Sequence, residues 1–450
     1  MFSRREMLKI LGYIPGLSLL GFQSVKSELP SRPVVVDPQS VIYRAINGTP
    51  SENMRQAVAL KGGIESIVGK NDIVIIKPNV QWWNQGAPNI GALHAFIELI
   101  MNRPGGFKGE VVIAENCHRG KEPWKSAGWS KNFERNSSLP GVKNYNELSN
   151  RLKDEFGDRY STVHWVDVRY GNRRVFSPED GCGYVYCDGT GGVPKIELGN
   201  GLSGEEQRKT IMTYPIFKTD QGTIIDYKNG IWENGHYDNS RLKFINFAAL
   251  NHHSTYCGFT SLIKNYLGVS DLSGGPDPGN NGKLTGSYYN FHSFPFNEWS
   301  DGPKPGMIGA EIGVFFNTIR KADLHVVTAE WIGLSHRVQP PVTRTKAVML
   351  STDPVALDYH SAKYLLFPNS GIRFHDPDRP DSPAHQYIKK CAEYGGGVFD
   401  ESKVALKSFD NKTKCLQQDS ESLILGDRKW GRNVKSIGKY LLFRYFDFLL

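Results

Sequence analysis

The chain is predicted to be an α/β protein, with a mostly parallel or mixed central sheet flanked by helices and interrupted by a β-rich insertion. Three observations predict this. From Val41 onward, apolar runs of strand length alternate with stretches of helical period. One run, Ile73-Val74-Ile75-Ile76, is apolar at every position, as a strand covered on both faces should be. Between about 170 and 240 the helical period gives way to glycine, aromatics and short alternating runs such as Lys195-Ile196-Glu197-Leu198.

Residues 41–46 read as the first strand. Thr49-Pro50-Ser51-Glu52 then spells a capping box with proline at the first helical position, and opens a helix whose apolar residues include Met54, Ala57 and Val58. After the strand at 73–76, Leu93, Phe96, Ile97 and Ile100 mark one face of a helix that stops near Pro104-Gly105-Gly106. Residues 111–114 form the next buried strand. Beyond the insertion, strands are expected at 242–250, 324–328 and 347–350, with helices at 259–267 and 354–366. The segment 273–301, crowded with glycine, proline and asparagine, is longer than a simple connection and is expected to serve as a lid. The final segment, 428–450, interleaves Arg428, Lys429, Lys439 and Arg444 with Trp430, Tyr440 and Phe443. Such a tail either docks on the body through its apolar residues or makes a peripheral contact with an anionic membrane surface.

At the other end, residues 1–28 read as a twin-arginine signal. Ser3-Arg4-Arg5-Glu6-Met7-Leu8-Lys9 is followed by an apolar stretch broken by Gly12, Pro15 and Gly16, and then by a polar run from Gln23. An ordinary secretory signal or an uncleaved anchor is the alternative. The twin-arginine pattern makes the translocase of that route the expected partner during export, and the periplasm or another extracytoplasmic space the expected destination of an already folded protein. No later segment has about 18 uninterrupted apolar residues, the length a spanning helix needs.

Of the 450 residues 39% are hydrophobic, enough to bury a large core, and one elaborated domain over 35–425 is expected. A net charge of +8 is modest at this length and its lysines and arginines are scattered, so nucleic acid is not an expected partner. The six cysteines show no CxxC, ferredoxin or haem spacing, so no ferredoxin-type iron–sulfur motif is present. Cys182 and Cys187 bracket Gly-Tyr-Val-Tyr and either pair or remain two thiols on a strand.

In open α/β sheets, ligands bind beyond the carboxyl ends of the strands, where loops and helix amino termini converge. The strand at 73–76 runs into Lys77-Pro78-Asn79, that at 111–114 into Glu115-Asn116-Cys117-His118, and that at 242–250 into Asn251-His252-His253. The strand at 324–328 is followed by Glu330, and that at 347–350 by Ser351-Thr352-Asp353. If these strands are parallel neighbours, the polar residues form one rim. Lys77 and Lys264 are then candidates to hold a small anionic ligand, a carboxylate or phosphate, with Asn79, Asn265 and Asp353 beside them. Asp358 and Glu115 are candidates for acid or base. Asp353 also reads as an N-cap with Pro354 at the first helical position. Asp358 borders the buried face of the same helix and needs a partner there. His118, His252, His253 and Glu330 carry donors that a transition metal accepts, without HxxxH or HxH spacing, so a metal ion is one candidate cofactor and the cofactor is otherwise open. No nucleophile elbow, Walker loop, GxGxxG or HExxH motif occurs.

Three segments together resemble the family catalogued as domain of unknown function 362. They are Asp72-Ile73-Val74-Ile75-Ile76-Lys77-Pro78-Asn79, Leu262-Ile263-Lys264-Asn265-Tyr266-Leu267-Gly268 and Ser351-Thr352-Asp353-Pro354-Val355-Ala356-Leu357-Asp358. The resemblance spans roughly 41–366 around the insertion, and singles out Lys77, Asn79, Lys264, Asn265, Asp353 and Asp358 without giving them roles. Where such family members carry lysine, threonine and histidine ahead of the Lys-Asn helix, this chain has Leu250-Asn251-His252-His253. It also lacks the ferredoxin-like cysteine module of some relatives. Two readings remain: an exported enzyme acting on a small anionic substrate at the strand-end rim, or a non-catalytic ligand, metal or redox-accessory binding protein.

Overall fold

The structure is a computed structural model that describes residues 37–116, 120–273, 282–295, 304–417, 423–430 and 434–445. The signal-like segment 1–28, His118 and much of the expected lid lie outside the described residues.

The protein has an α/β fold built on a ten-stranded mixed sheet. Across it the order runs Cys415–Gln417, Val404–Asp410, Ser40–Ile46, Val342–Ser351, Leu324–Gly333, Leu242–Ala249, Ile73–Pro78, Glu110–Glu115, Tyr160–His164, with Asp427–Lys429 added alongside Val342–Ser351. The five strands from Leu324–Gly333 to Tyr160–His164 are mutually parallel. Val342–Ser351 runs antiparallel to both of its neighbours in that order, Leu324–Gly333 and Ser40–Ile46.

The unbroken apolar run at 73–76 is explained by two-sided burial. Ile73 and Ile75 belong to one hydrophobic cluster and Val74 and Ile76 to the other, because successive side chains of a strand point to opposite faces. On one face lie the helices Pro50–Lys61, Ile90–Met101 and Tyr145–Phe156, contributing Met54, Phe96, Ile97 and Leu148. On the other lie Pro305–Thr318, Pro354–Ser361 and Pro383–Glu393, contributing Ile312, Phe315, Leu357 and Ile388. The expected capping box forms: Thr49 accepts from the Glu52 amide at 3.2 Å and its own amide donates to Glu52 at 2.8 Å.

The β-rich insertion forms a five-stranded antiparallel sheet from Gly183–Tyr186, Thr213–Lys218, Ile224–Asp226, Gly230–Glu233 and His236–Asp238. Cys182 and Cys187 are free thiols at its first strand. Within the segment expected to be a lid, Lys283–Thr285 and Tyr288–Tyr289 instead join Lys209–Ile211 and Glu197–Gly199 in a four-stranded sheet.

Two expected elements differ. The helix at 259–267 is reduced to Leu262–Asn265 and a following turn, because Phe259–Thr260 pairs with Asn251–His252 in a short antiparallel ladder. The strand expected at 324–328 continues to Gly333 through a bulge between Ala329 and Trp331. The extension moves its carboxyl end beyond Glu330, to Leu334-Ser335-His336-Arg337. Among the described residues no helix is long and apolar enough to cross a membrane. The helix Val434–Tyr445 buries Tyr440 and Phe443 against the body and leaves Leu441 and Leu442 exposed.

Candidate functional site

Because Ile73–Pro78, Glu110–Glu115, Leu242–Ala249 and Leu324–Gly333 are parallel, their carboxyl ends share one edge of the sheet. A small cleft opens there, with about 60 Å³ of free space, lined by Lys77, Asn79, Glu115, Lys264, Asn265 and Arg337 among others. Five of these six are residues the sequence singled out.

At its floor, Lys77 Nζ reaches both oxygens of Glu115, at 3.0 and 3.1 Å, and donates to Asn265 Oδ1 at 2.6 Å and Pro78 O at 3.2 Å. Both charges are almost wholly buried. Burial pushes the Glu115 carboxyl above the usual carboxylate range, against the opposing pull of Lys77 and the backbone N–H groups of Val80 and Asn116. The pair lies directly under Gly268, where a Cβ would come within 2.5 Å of Lys77 Nζ and 2.9 Å of Glu115 Oε1. Only glycine lets the chain cross the pair this closely.

Asn265 is fixed from both sides. Its amide donates to Lys77 O at 3.0 Å and to Asn246 Oδ1 at 2.7 Å, and Asn246 in turn donates to Leu262 O at 2.9 Å. Asn246 is a buried polar residue within an apolar strand, a signal that a hydrogen-bonded partner had to exist. Asn79 accepts from the Ala249 amide at 2.9 Å and ties two strand ends together.

Lys264 projects from the short Leu262–Asn265 helix into the cleft. Among the described residues its ammonium has no hydrogen bond or ion pair, only the ring of Tyr256 at 5.6 Å. Burial lowers its pKa to about 8, with Arg337 and Lys77 adding to the shift. The helix is held from behind by Asp358, whose oxygens accept the amides of Leu262 at 3.1 Å and Ile263 at 3.0 Å. Asp358 is fully buried and is not among the cleft-lining residues. Burial raises its carboxyl to about 7, since these amide hydrogen bonds only partly offset desolvation.

The remaining candidates are dispersed. Asp353 lies at the opposite edge, because Val342–Ser351 is antiparallel and Ser351 pairs with His325 at the start of the neighbouring strand. There it accepts from the amides of Ala356 at 2.9 Å and Val398 at 2.8 Å, as an N-cap does. Glu330 sits at the bulge and accepts from Arg344 at 2.7 Å. His252 and His253 line an adjoining cavity with His336 and Lys439. No group of three His, Cys, Asp or Glu side chains stands close enough to hold a metal ion among the described residues.

Arg337 and Trp82 were not legible as site residues. Arg337 stacks over the Trp82 ring at 4.9 Å, and the two line both the cleft and the adjoining cavity. Arg337 follows the true end of its strand, four residues past Gly333 and nine past Thr328, where the expected strand stopped.

No protein family, curated protein or solved structure matches this chain in comparisons with known proteins.

Proposed function

We propose that the chain is an exported enzyme that binds a small anionic substrate in the strand-end cleft. Lys264 carries this reading: it is an ammonium group in a partly dry cleft, beside Lys77 and Arg337, with no anionic partner among the described residues. Buried charges of one sign are costly unless a counter-charge arrives. Glu115 is the single carboxylate among the lining residues and is already engaged by Lys77. The free space admits a carboxylate or phosphoryl group and little more.

Within this reading Lys264 and Arg337 bind the anion. Asn79 and Asn265 hold the two walls in register. Glu115, with its pKa raised toward neutral pH, is the group that can take or give a proton in the cleft, and Lys77 sets its balance. Asp358 acts as a positioning residue through the helix it caps. The resemblance to domain of unknown function 362, which singles out the cleft residues without giving them roles, and the Arg4-Arg5 segment, which fits export of a folded protein, support the same reading.

The test is calorimetric titration with acetate and with inorganic phosphate. Lys264→Met should weaken binding at least tenfold while the circular dichroism spectrum is kept. Anion binding requires the charged ammonium, so affinity should fall as pH rises through about 8. Unchanged affinity in Lys264→Met, or affinity that rises above that pH, would sink the proposal. Turnover of a screened phosphoester or carboxylate lost in Glu115→Gln, with ligand binding retained, would distinguish an enzyme from a carrier.

A further inference from the structure

We propose that the cavity adjoining the cleft is a seat for a tetrahedral oxyanion, a phosphoryl or sulfuryl group. Its walls include His252, His253, His336, Ser335, Arg337 and Lys439, and no carboxylate is among its lining residues. The free space is about 110 Å³. At roughly 30 Å³ per liquid water, such a space suits one such group rather than a large cofactor.

The imidazole hydrogen bonds fix which chemistry the cavity offers. His336 Nδ1 accepts from the amides of Val338 at 3.0 Å and Gln339 at 3.1 Å, and His253 Nδ1 accepts from the Ser254 amide at 2.9 Å. A ring nitrogen that accepts carries no proton, so each neutral ring bears its proton on Nε2. Both rings therefore present an N–H donor at Nε2 and no lone pair. A metal needs the lone pair; an oxyanion needs the donor. Of the histidines that the sequence offered as metal ligands, His253 is thus better suited to an anion, and His336 beside it offers the same donor.

His252 forms another part of the wall. It is 3% exposed, and its Nδ1 lies 2.9 Å from His375 Nε2, which is part of a chain ending 2.7 Å from Ser370 Oγ. His252 Nε2 has no partner among the described residues. Burial, with neighbouring cations adding to it, holds His252, His253 and His336 below the ordinary histidine pKa, so these rings are neutral hydrogen-bonding groups and the positive charge at the cavity comes from Arg337 and Lys439. Lys439 completes the wall from the helix Val434–Tyr445, which is anchored by Tyr440 donating to Ser370 O at 2.9 Å and by Phe443 packing 5.1 Å from the His252 ring.

Since Arg337 and Trp82 belong to both spaces, an oxyanion here leaves the rest of its ligand at the cleft. The inference deepens the cleft reading but rests on different residues. The experiment is calorimetric titration of the folded chain with inorganic phosphate, run beside phenyl phosphate to distinguish the free ion from an ester-borne group. Wild-type protein should bind two phosphates. His336→Leu and His253→Leu should each remove one site or weaken it at least tenfold, whereas His336→Gln, which keeps a side-chain N–H, should retain it within about threefold. Lys264→Met should remove the other site. No saturable phosphate binding by the wild type, or binding insensitive to both leucine variants, overturns the inference. A loss seen only in Lys264→Met overturns it while leaving the cleft reading intact, and a loss seen only in the histidine variants does the reverse.

Discussion

Lys77 and Glu115 show how much one buried contact controls. Neither charge has water to fall back on, so removing one partner leaves the other uncompensated. A cost of about 3–5 kcal/mol is expected for Lys77→Met alone, because the remaining carboxylate is buried without its counter-charge. The double variant Lys77→Met/Glu115→Leu should recover most of that loss while abolishing any proton transfer in the cleft. Urea denaturation of the single and double variants checks this. A double variant as unstable as the single would show that the pair's worth lies in the fold and not in its charges. Gly268 belongs to the same account, since any side chain there must push into the pair.

At the level of elements, two aspartates five residues apart, one capping a helix and one within it, do different work. Asp353 caps Pro354–Ser361 at the far edge of the sheet, and Asp358 caps Leu262–Asn265 behind the cleft. Asp353→Ala should cost about 1 kcal/mol, the usual value of a lost N-cap, with anion affinity unchanged. Asp358→Ala leaves two buried amides without acceptors, at about 1–3 kcal/mol each, and should weaken anion binding because Lys264 and Asn265 ride on that helix. The pH dependence has a definite sign. Asp358 titrates at about 7 when folded against 3.8 as its ordinary value, so its contribution to stability is greatest below the ordinary value and is lost as pH rises through about 7. Asp358→Asn should flatten the stability profile across that window, as measured by denaturation at several pH values. An unaltered slope would contradict the assignment.

For the whole molecule, the parallel block of strands gathers residues from widely separated stretches of chain at one edge. The insertion builds its own sheets and the helix Val434–Tyr445 closes the cavity beside the cleft. A site assembled from so many segments exists only in the folded chain, and the proposed export route has a test of its own. Replacing both Arg4 and Arg5 with lysine should leave full-length protein inside the cell, as read by fractionation and immunoblotting. Continued export of the variant would favour an ordinary secretory signal.

The sequence by itself determined the class of fold and much of the cleft. Local signals carried both: two-sided apolar runs for strands, a capping box for the first helix, and polar letters directly after the parallel strands, among them Lys77, Asn79 and Glu115. Lys264 and Asn265 lie within the helix expected at 259–267, and the family resemblance singles out the same two residues. Tertiary structure decided the rest, because strand direction is not written in any single strand. The antiparallel course of Val342–Ser351 sent Asp353 to the far edge, and the bulge that carried its neighbour on to Gly333 exchanged Glu330 for Arg337. Asp358 had to find a partner, and only the packing of two distant helices showed that its partners were backbone amides.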